Sequence, residues 1–389
     1  MINSNKKTVL GICIAALLST AYANAQEAGF TAEVDSRLSY EDNILRAADA
    51  NAVSDTSLVV APELTLAGII GKQRFTVQYK GEYANYFDNS DVNYADHDIR
   101  LQADFDHSNR LTSSFDVQYK DQHEDVGELN TIFTNLTEFN QFTETQLNGQ
   151  LAYGRQDSFG QLVLRLGKTD REYDNNNQEF RSFDRDLVSL AFYYRVAPRT
   201  RLLAEINYQD FSYSPEIGFT DLDNQYIRYL VGVEWVLTNQ LEGTVKVGYQ
   251  DRDYRLDRLS DIDGLSYEAN IDWQPNTFST IGIVAKRESI DSSLAGVGGS
   301  VRTSYGVNVK HGFTELTSLD AGLGYSKDEL VFGVNRQDTR HLAKLGVLHE
   351  LLTWVELGAN VSYEDRDSTQ ELANYEVTSV NLTAKISFD

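Results

Sequence analysis

Cysteine and methionine each occur once in the 389 residues, as Cys13 and Met1, and both fall within the first 25. The remainder has no disulfide, thiol nucleophile or thiolate metal ligand to offer. Positive charge is also scarce, with 34 Lys and Arg against 58 Asp and Glu and a formal net charge of −24. That balance argues against nucleic acid as a partner, because phosphate binding needs an excess of Lys and Arg. Past the N-terminus there is no apolar run long enough for a membrane-spanning helix, which needs about twenty residues. Proline is rare too, with 4 residues against 26 Gly, 22 Tyr and 18 Phe.

The N-terminus predicts the compartment. Lys6 and Lys7 precede an apolar run from Val9 to Leu18, and Ala23-Asn24-Ala25 supplies the small-x-small pattern of a cleavage site. Residues 1–25 are therefore expected to be a signal peptide, and 26–389 a single domain. The run is about half the length a spanning helix requires. A lipoprotein reading of Cys13 fails because Ile12 precedes it where a small residue is needed.

What the chain does have is alternation. Leu241, Gly243, Val245, Val247 and Tyr249 fall on one face of a strand, and Glu242, Thr244, Lys246, Gly248 and Gln250 on the other. At the end, Val380, Leu382, Ala384, Ile386 and Phe388 oppose Asn381, Thr383, Lys385 and Ser387. A helix would repeat its apolar residues every three or four positions instead. A mean hydropathy of −0.40 fits a soluble protein at first sight. It also fits a membrane barrel, in which only every second residue meets lipid.

Connections alternate between short and long. Short ones are expected near Gly71-Lys72, Ser108-Asn109-Arg110, Gln156-Asp157-Ser158, Ala197-Pro198-Arg199, Leu237-Thr238-Asn239, Pro275-Asn276, Thr314-Glu315 and Leu351-Leu352. Long polar ones are expected near 46–55, 88–92, 124–138, 174–183, 214–223, 255–263, 292–300, 332–337 and 369–374. Seventeen connections make eighteen strands, an even count with both termini at one rim. The fold class is thus all-β: a transmembrane antiparallel up-and-down β-barrel of about eighteen strands. A forty-residue propeller blade would need four short strands where this sequence has two long ones.

Outgoing strands tend to end in an aromatic followed by charges, as in Tyr249-Gln250-Asp251-Arg252-Asp253 and Tyr363-Glu364-Asp365-Arg366-Asp367. Trp235, Trp273 and Trp354 map beside short turns, and Tyr119, Tyr208, Tyr249, Tyr325 and Tyr363 toward the opposite rim. Two aromatic girdles at the membrane interfaces are the expectation.

Catalytic patterns are absent: the six His show no HExxH or other ligand spacing. Neither an enzyme nor a cofactor is expected. Asp174-Asn175-Asn176-Asn177 and Asp261-Ile262-Asp263-Gly264 are rich in oxygen ligands, but they lack EF-hand spacing and read as solvated loops. The polar face of the strands predicts a lumen lined by Arg74, Lys80, Glu82, Asp98, Arg100, Asp116, Lys120, Arg165, Glu205, Arg228, Glu234, Lys246, Glu268, Asp272, Lys310, Lys344, Glu356 and Lys385. Charge of both signs among amides and hydroxyls suits a hydrogen-bonding cargo; the bland alternative is that these ions merely pair across strands. Eighteen strands leave an aqueous channel. Gln26 to Gly29 are too few for the plug domain of an energised transporter.

Tyr40-Glu41-Asp42-Asn43-Ile44-Leu45-Arg46 resembles the opening motif of the "Putative beta-barrel porin 2" family, barrels linked to exopolysaccharide and capsule operons. The resemblance extends in layout over the whole chain after the signal peptide. It implies export of a polysaccharide cargo through the outer membrane, with a periplasmic polysaccharide-export lipoprotein as partner. General or oligosaccharide diffusion is the alternative, and a structural or adhesive surface protein a third. In the outer membrane the barrel would meet lipid and lipopolysaccharide, with both termini periplasmic. Such barrels end on an aromatic read by the barrel-insertion machinery; here Asp389 follows Phe388, which is expected to serve.

Overall fold

The computed structural model describes residues 28–124, 126–127, 138–213, 221–238, 240–291, 298–331 and 336–388. Residues 1–25, read above as a signal peptide, lie outside the described residues. The described chain forms β1 (Gly29–Glu41), β2 (Asp55–Ile70), β3 (Gln73–Tyr86), β4 (Tyr94–Asp106), β5 (Leu111–His123), β6 (Gln141–Tyr153), β7 (Gly160–Tyr173), β8 (Phe183–Ala197) and β9 (Thr200–Tyr213). It continues with β10 (Asn224–Thr238), β11 (Leu241–Tyr254), β12 (Ile262–Asn276), β13 (Ser279–Asp291), β14 (Gly299–Gly312), β15 (Thr317–Leu330), β16 (Gln337–Leu352), β17 (Val355–Ser368) and β18 (Tyr375–Phe388). Among the described residues, the helical elements are four 3₁₀ turns of three residues each.

Each strand pairs antiparallel with the next, and β1 closes the sheet against β18 over ten residue pairs from Ala32↔Phe388 to Glu41↔Ser379. Closure removes the edges, so strand N–H and C=O groups find partners within the wall, as a lipid environment demands. Leucine, valine and isoleucine side chains such as Leu66, Leu101, Leu190, Val231, Leu345 and Leu382 stand exposed on the outer face. Most of their alternate neighbours point inward and are polar, the inverse of a soluble core, although Ala152, Val163, Ala191, Tyr193 and Leu203 form a small apolar patch on the inner face.

Strands of 13 to 16 residues exceed the nine to eleven or so that cross a bilayer at a tilt. Expected turns shift where strands run on: Leu237-Thr238 close β10 after a bulge between Val236 and Thr238, and Pro275-Asn276 and Leu351-Leu352 likewise belong to strand ends, with turns at 277–278 and 353–354. The reason at the latter two is again a bulge just before each turn, between Trp273 and Asn276 and between Glu350 and Leu352, which absorbs extra residues into the strand. Trp354 accordingly sits in its turn rather than at the start of β17.

Candidate functional site: the barrel lumen

Strand alternation puts the inward side chains in rows across the wall, and the register decides which charges meet. Lys80 pairs with Glu63 at 3.0 Å, Arg100 with Asp116 at 2.5 Å and Lys120 with Glu144 at 2.8 Å. Lys246 bridges Glu205 at 2.9 Å and Glu268 at 2.6 Å, while Arg228 reaches Glu268 at 3.2 Å and the Ser266 hydroxyl at 3.1 Å. Arg201 holds Glu234 at 2.6 Å, Lys344 faces Asp320 at 3.7 Å and Lys385 holds Glu33 at 2.5 Å. Arg165 donates to the Gln150 amide oxygen at 3.0 Å and lies 4.0 Å from Glu205. Glu82 accepts from Tyr94 at 3.2 Å and Arg37 at 3.3 Å, and Asp98 from Gln118 at 2.8 Å. In the pairing register Arg74 stands opposite Asp104, Asp272 opposite Glu242, Lys310 opposite Asp320 and Glu356 opposite Lys385.

Ions of both signs therefore largely neutralise one another across neighbouring strands. Between them runs a field of amides and hydroxyls: Gln78, Gln102, Gln118, Gln146, Asn148, Gln150, Ser189, Asn207 and Gln209 on β3 to β9. Asn360 and Asn381, joined at 2.9 Å, resume it on β17 and β18.

The mouth at the long-loop rim is packed by its own loops. Ile44, Val59, Tyr86, Val92, Tyr94, Val126 and Phe139 form one buried cluster there, and Phe211, Tyr213, Leu222, Tyr226, Tyr254 and Leu259 another. The segment Tyr40–Arg46 ties the first loop into this packing. The Asn43 amide donates to Ala47 O at 2.7 Å and Glu376 O at 3.0 Å, and its oxygen accepts from Ala47 N at 3.0 Å. Asp42 accepts from Thr378 N at 2.7 Å, and Arg46 turns back at φ 45° to pair with Glu41 at 3.0 Å. Beside the first cluster Glu124 is clasped by Arg181, whose guanidinium also lies 4.3 Å over the Tyr173 ring. Burial pushes the Glu124 carboxyl up, but Arg181 and Asn140 outweigh it and hold it below its ordinary value of 4.5. Arg340 and Arg366, on β16 and β17, both donate to the Gly127 carbonyl.

These mouth contacts escaped the sequence reading, although the aromatic-charge repeat carried the signal. Along Tyr249–Asp253, Tyr249 faces out at 45 % exposure while Gln250 and Arg252 turn inward and are buried to 1 % and 2 %. Along Tyr363–Asp367, Glu364 and Arg366 do the same. The repeat thus plants a buried arginine beneath the mouth as well as a tyrosine outside. Of the oxygen-rich loops, the Asn175 side-chain oxygen accepts from Gln141 N and an Asp261 oxygen from Tyr254 N, while the Asn175 and Asn176 amide nitrogens donate to the Phe139 and Glu138 carbonyls.

Trp235, Trp273 and Trp354 lie at the short-turn rim, with the Trp235 indole over Gly243, where an added Cβ would stand 2.9 Å from the ring. Tyr119, Tyr208, Tyr249 and Tyr363 face out toward the other rim, and Tyr325 stacks there on Tyr305 at 6.1 Å and meets His341, tilted, at 5.5 Å. Phe388 ends β18 opposite Ala32, exposed at the seam.

A closed antiparallel barrel with a lipid-compatible exterior and a polar interior defines an outer-membrane channel of the porin class. The sequence matches the family described as Putative beta-barrel porin 2 over residues 30–388, and the chain belongs to that family. No curated protein matches the sequence significantly. Among solved structures, Pseudomonas aeruginosa OpdK with vanillate is 11 % identical at a TM-score of 0.51, covering 92 % of this chain and 99 % of its own. Pseudomonas aeruginosa OccK2 (OpdF) in complex with glucuronate is 10 % identical at 0.51, covering 92 % and 98 %. Acinetobacter baumannii OccAB3 is 12 % identical at 0.50, covering 92 % and 99 %. At these identities the likeness is one of fold.

Proposed function

We propose that the barrel is a non-enzymatic conduit for carbohydrate across the Gram-negative outer membrane, with the short turns and both termini on the periplasmic side. The observation that carries this reading is the charge-compensated, amide-rich wall. Ions paired across strands leave little net field to draw salts of one sign, whereas carboxamides and hydroxyls exchange hydrogen bonds with a sugar as it passes. One neighbour of the same fold, OccK2, is described in complex with glucuronate, which is compatible with a sugar-accepting barrel of this shape. In planar bilayers the purified barrel should conduct, and added oligosaccharide should lower its current; a current indifferent to sugars overturns the reading.

Export of an exopolysaccharide, with a periplasmic polysaccharide-export lipoprotein as partner, is its finer form. It is favoured by the family's opening motif and by amides that recur along β3 to β9 and on β17 and β18 rather than at one spot, as a sliding polymer requires. Deleting the gene should then leave polymer in the periplasm. Undiminished surface polysaccharide would leave oligosaccharide diffusion as the function.

A further inference from the structure

We infer that Arg185 anchors an anion-recognising subsite on the lumen wall, one that prefers a carboxylate-bearing sugar to a neutral one. The inference rests on the conduit reading and names its substrate class.

Arg185 stands on the inner face of β8, between Thr169 of β7 and Phe211 of β9 in the pairing register. Its Nη2 donates to the Thr169 hydroxyl at 2.8 Å, and its guanidinium carbon lies 6.0 Å from the centre of the Phe211 ring. Its Nε is buried without an acceptor. Among the described residues no carboxylate comes within salt-bridge distance of it. The acids whose field reaches it, Glu144 and Asp291, are each held by another cation. Glu144 binds Lys120 and Arg171, and Asp291 binds Arg252.

Most ions of the wall are neutralised pair by pair, so a fixed guanidinium without a counter-ion leaves one local positive charge on the inner face of the barrel. Among the described residues Lys310 also has no ion pair, but it is exposed on a flexible stem and stands opposite Asp320. Arg185 differs in being held: a hydrogen bond and an aromatic face fix its plane before any ligand arrives, so little order is lost on binding. A planar guanidinium in a partly desolvated wall matches a carboxylate in shape and charge.

The surroundings suit a sugar ring attached to that carboxylate. Beside Thr169, Gly167 lowers the wall, since a Cβ there would meet the Asn148 amide oxygen at 2.8 Å and crowd Leu187. Leu187 offers an apolar edge for C–H faces, and Asn148 and Gln209 flank it with amides.

The test uses the full-length barrel in planar bilayers, with glucuronate and glucose as probes of nearly equal size. Glucuronate should block the wild-type current at lower concentration than glucose. Arg185→Gln should weaken the glucuronate block about tenfold or more and leave the glucose response unchanged. Thr169→Val, which keeps the charge but frees its orientation, should fall between, and heat-modifiable migration on gels checks that both variants close. Equal glucuronate block in wild type and Arg185→Gln overturns this inference, as does a wild type that responds to both sugars alike. A wild type that responds to neither overturns the conduit reading beneath it.

Discussion

Asn43→Ala is the sharpest perturbation of the long-loop mouth. The Asn43 side chain makes three hydrogen bonds, two to Ala47 and one to the Glu376 carbonyl of β18, and it is 2 % exposed. At about 1 kcal/mol net for each, truncation removes roughly 3 kcal/mol from the closed state of the first loop. That is about a hundredfold in the local opening equilibrium. The Ile44 amide, bonded to Val53 O across the loop at 2.8 Å, is the reporter. Its hydrogen exchange should accelerate about a hundredfold while the amides of β1 and β18 keep their rates. Asn43→Asp should do more damage, since it keeps an acceptor for Ala47 N–H but sets a carboxylate against two carbonyl oxygens. An Ile44 amide that exchanges as in wild type would refute the claim that this side chain holds the loop.

Two further outcomes follow from the ion pairs. Glu144→Gln removes the acid shared by Lys120 at 2.8 Å and Arg171 at 2.5 Å, so the wall gains one positive charge. The reversal potential in a salt gradient should move toward that of chloride, and an unmoved potential would mean that these cations do not face the permeation path. Glu124 has its pKa depressed by Arg181; its stabilising contribution is present above the ordinary carboxylate range and is lost as pH falls through the lowered value. Exchange protection around Glu124 and Tyr173 should therefore hold at neutral pH and drop in strong acid. Glu124→Gln should flatten that dependence, and a variant as acid-sensitive as wild type would assign the effect to another group.

The strand count was legible because two independent periodicities agree. Residues alternate in facing along each strand, and connections alternate in length between strands. Pairing was not legible, because register is set between strands rather than within them. Lys246 finds Glu205 two strands away, which no spacing in the sequence encodes. The isolation of Arg185 is hidden for the same reason: an unpaired charge shows only once every neighbouring acid has been assigned. Tyr40–Arg46 was visible as a motif, but its work is tertiary. Asn43 reaches across the seam to β18, 333 positions away in sequence.

Wall and mouth are stabilised by different physics, and this separates what mutations in each should do. The wall is a closed ladder whose backbone groups have no alternative partner in lipid, and its more exposed ion pairs, such as Lys80–Glu63 and Lys344–Asp320, contribute little each. The mouth instead uses buried pairs such as Glu41–Arg46 and Arg336–Asp338, where desolvation offsets much of the attraction and breaking one partner strands the other. Such pairs contribute geometry more than stability. Loosening the mouth should therefore alter which solutes pass and how steadily current flows, while the barrel resists heat and detergent as before.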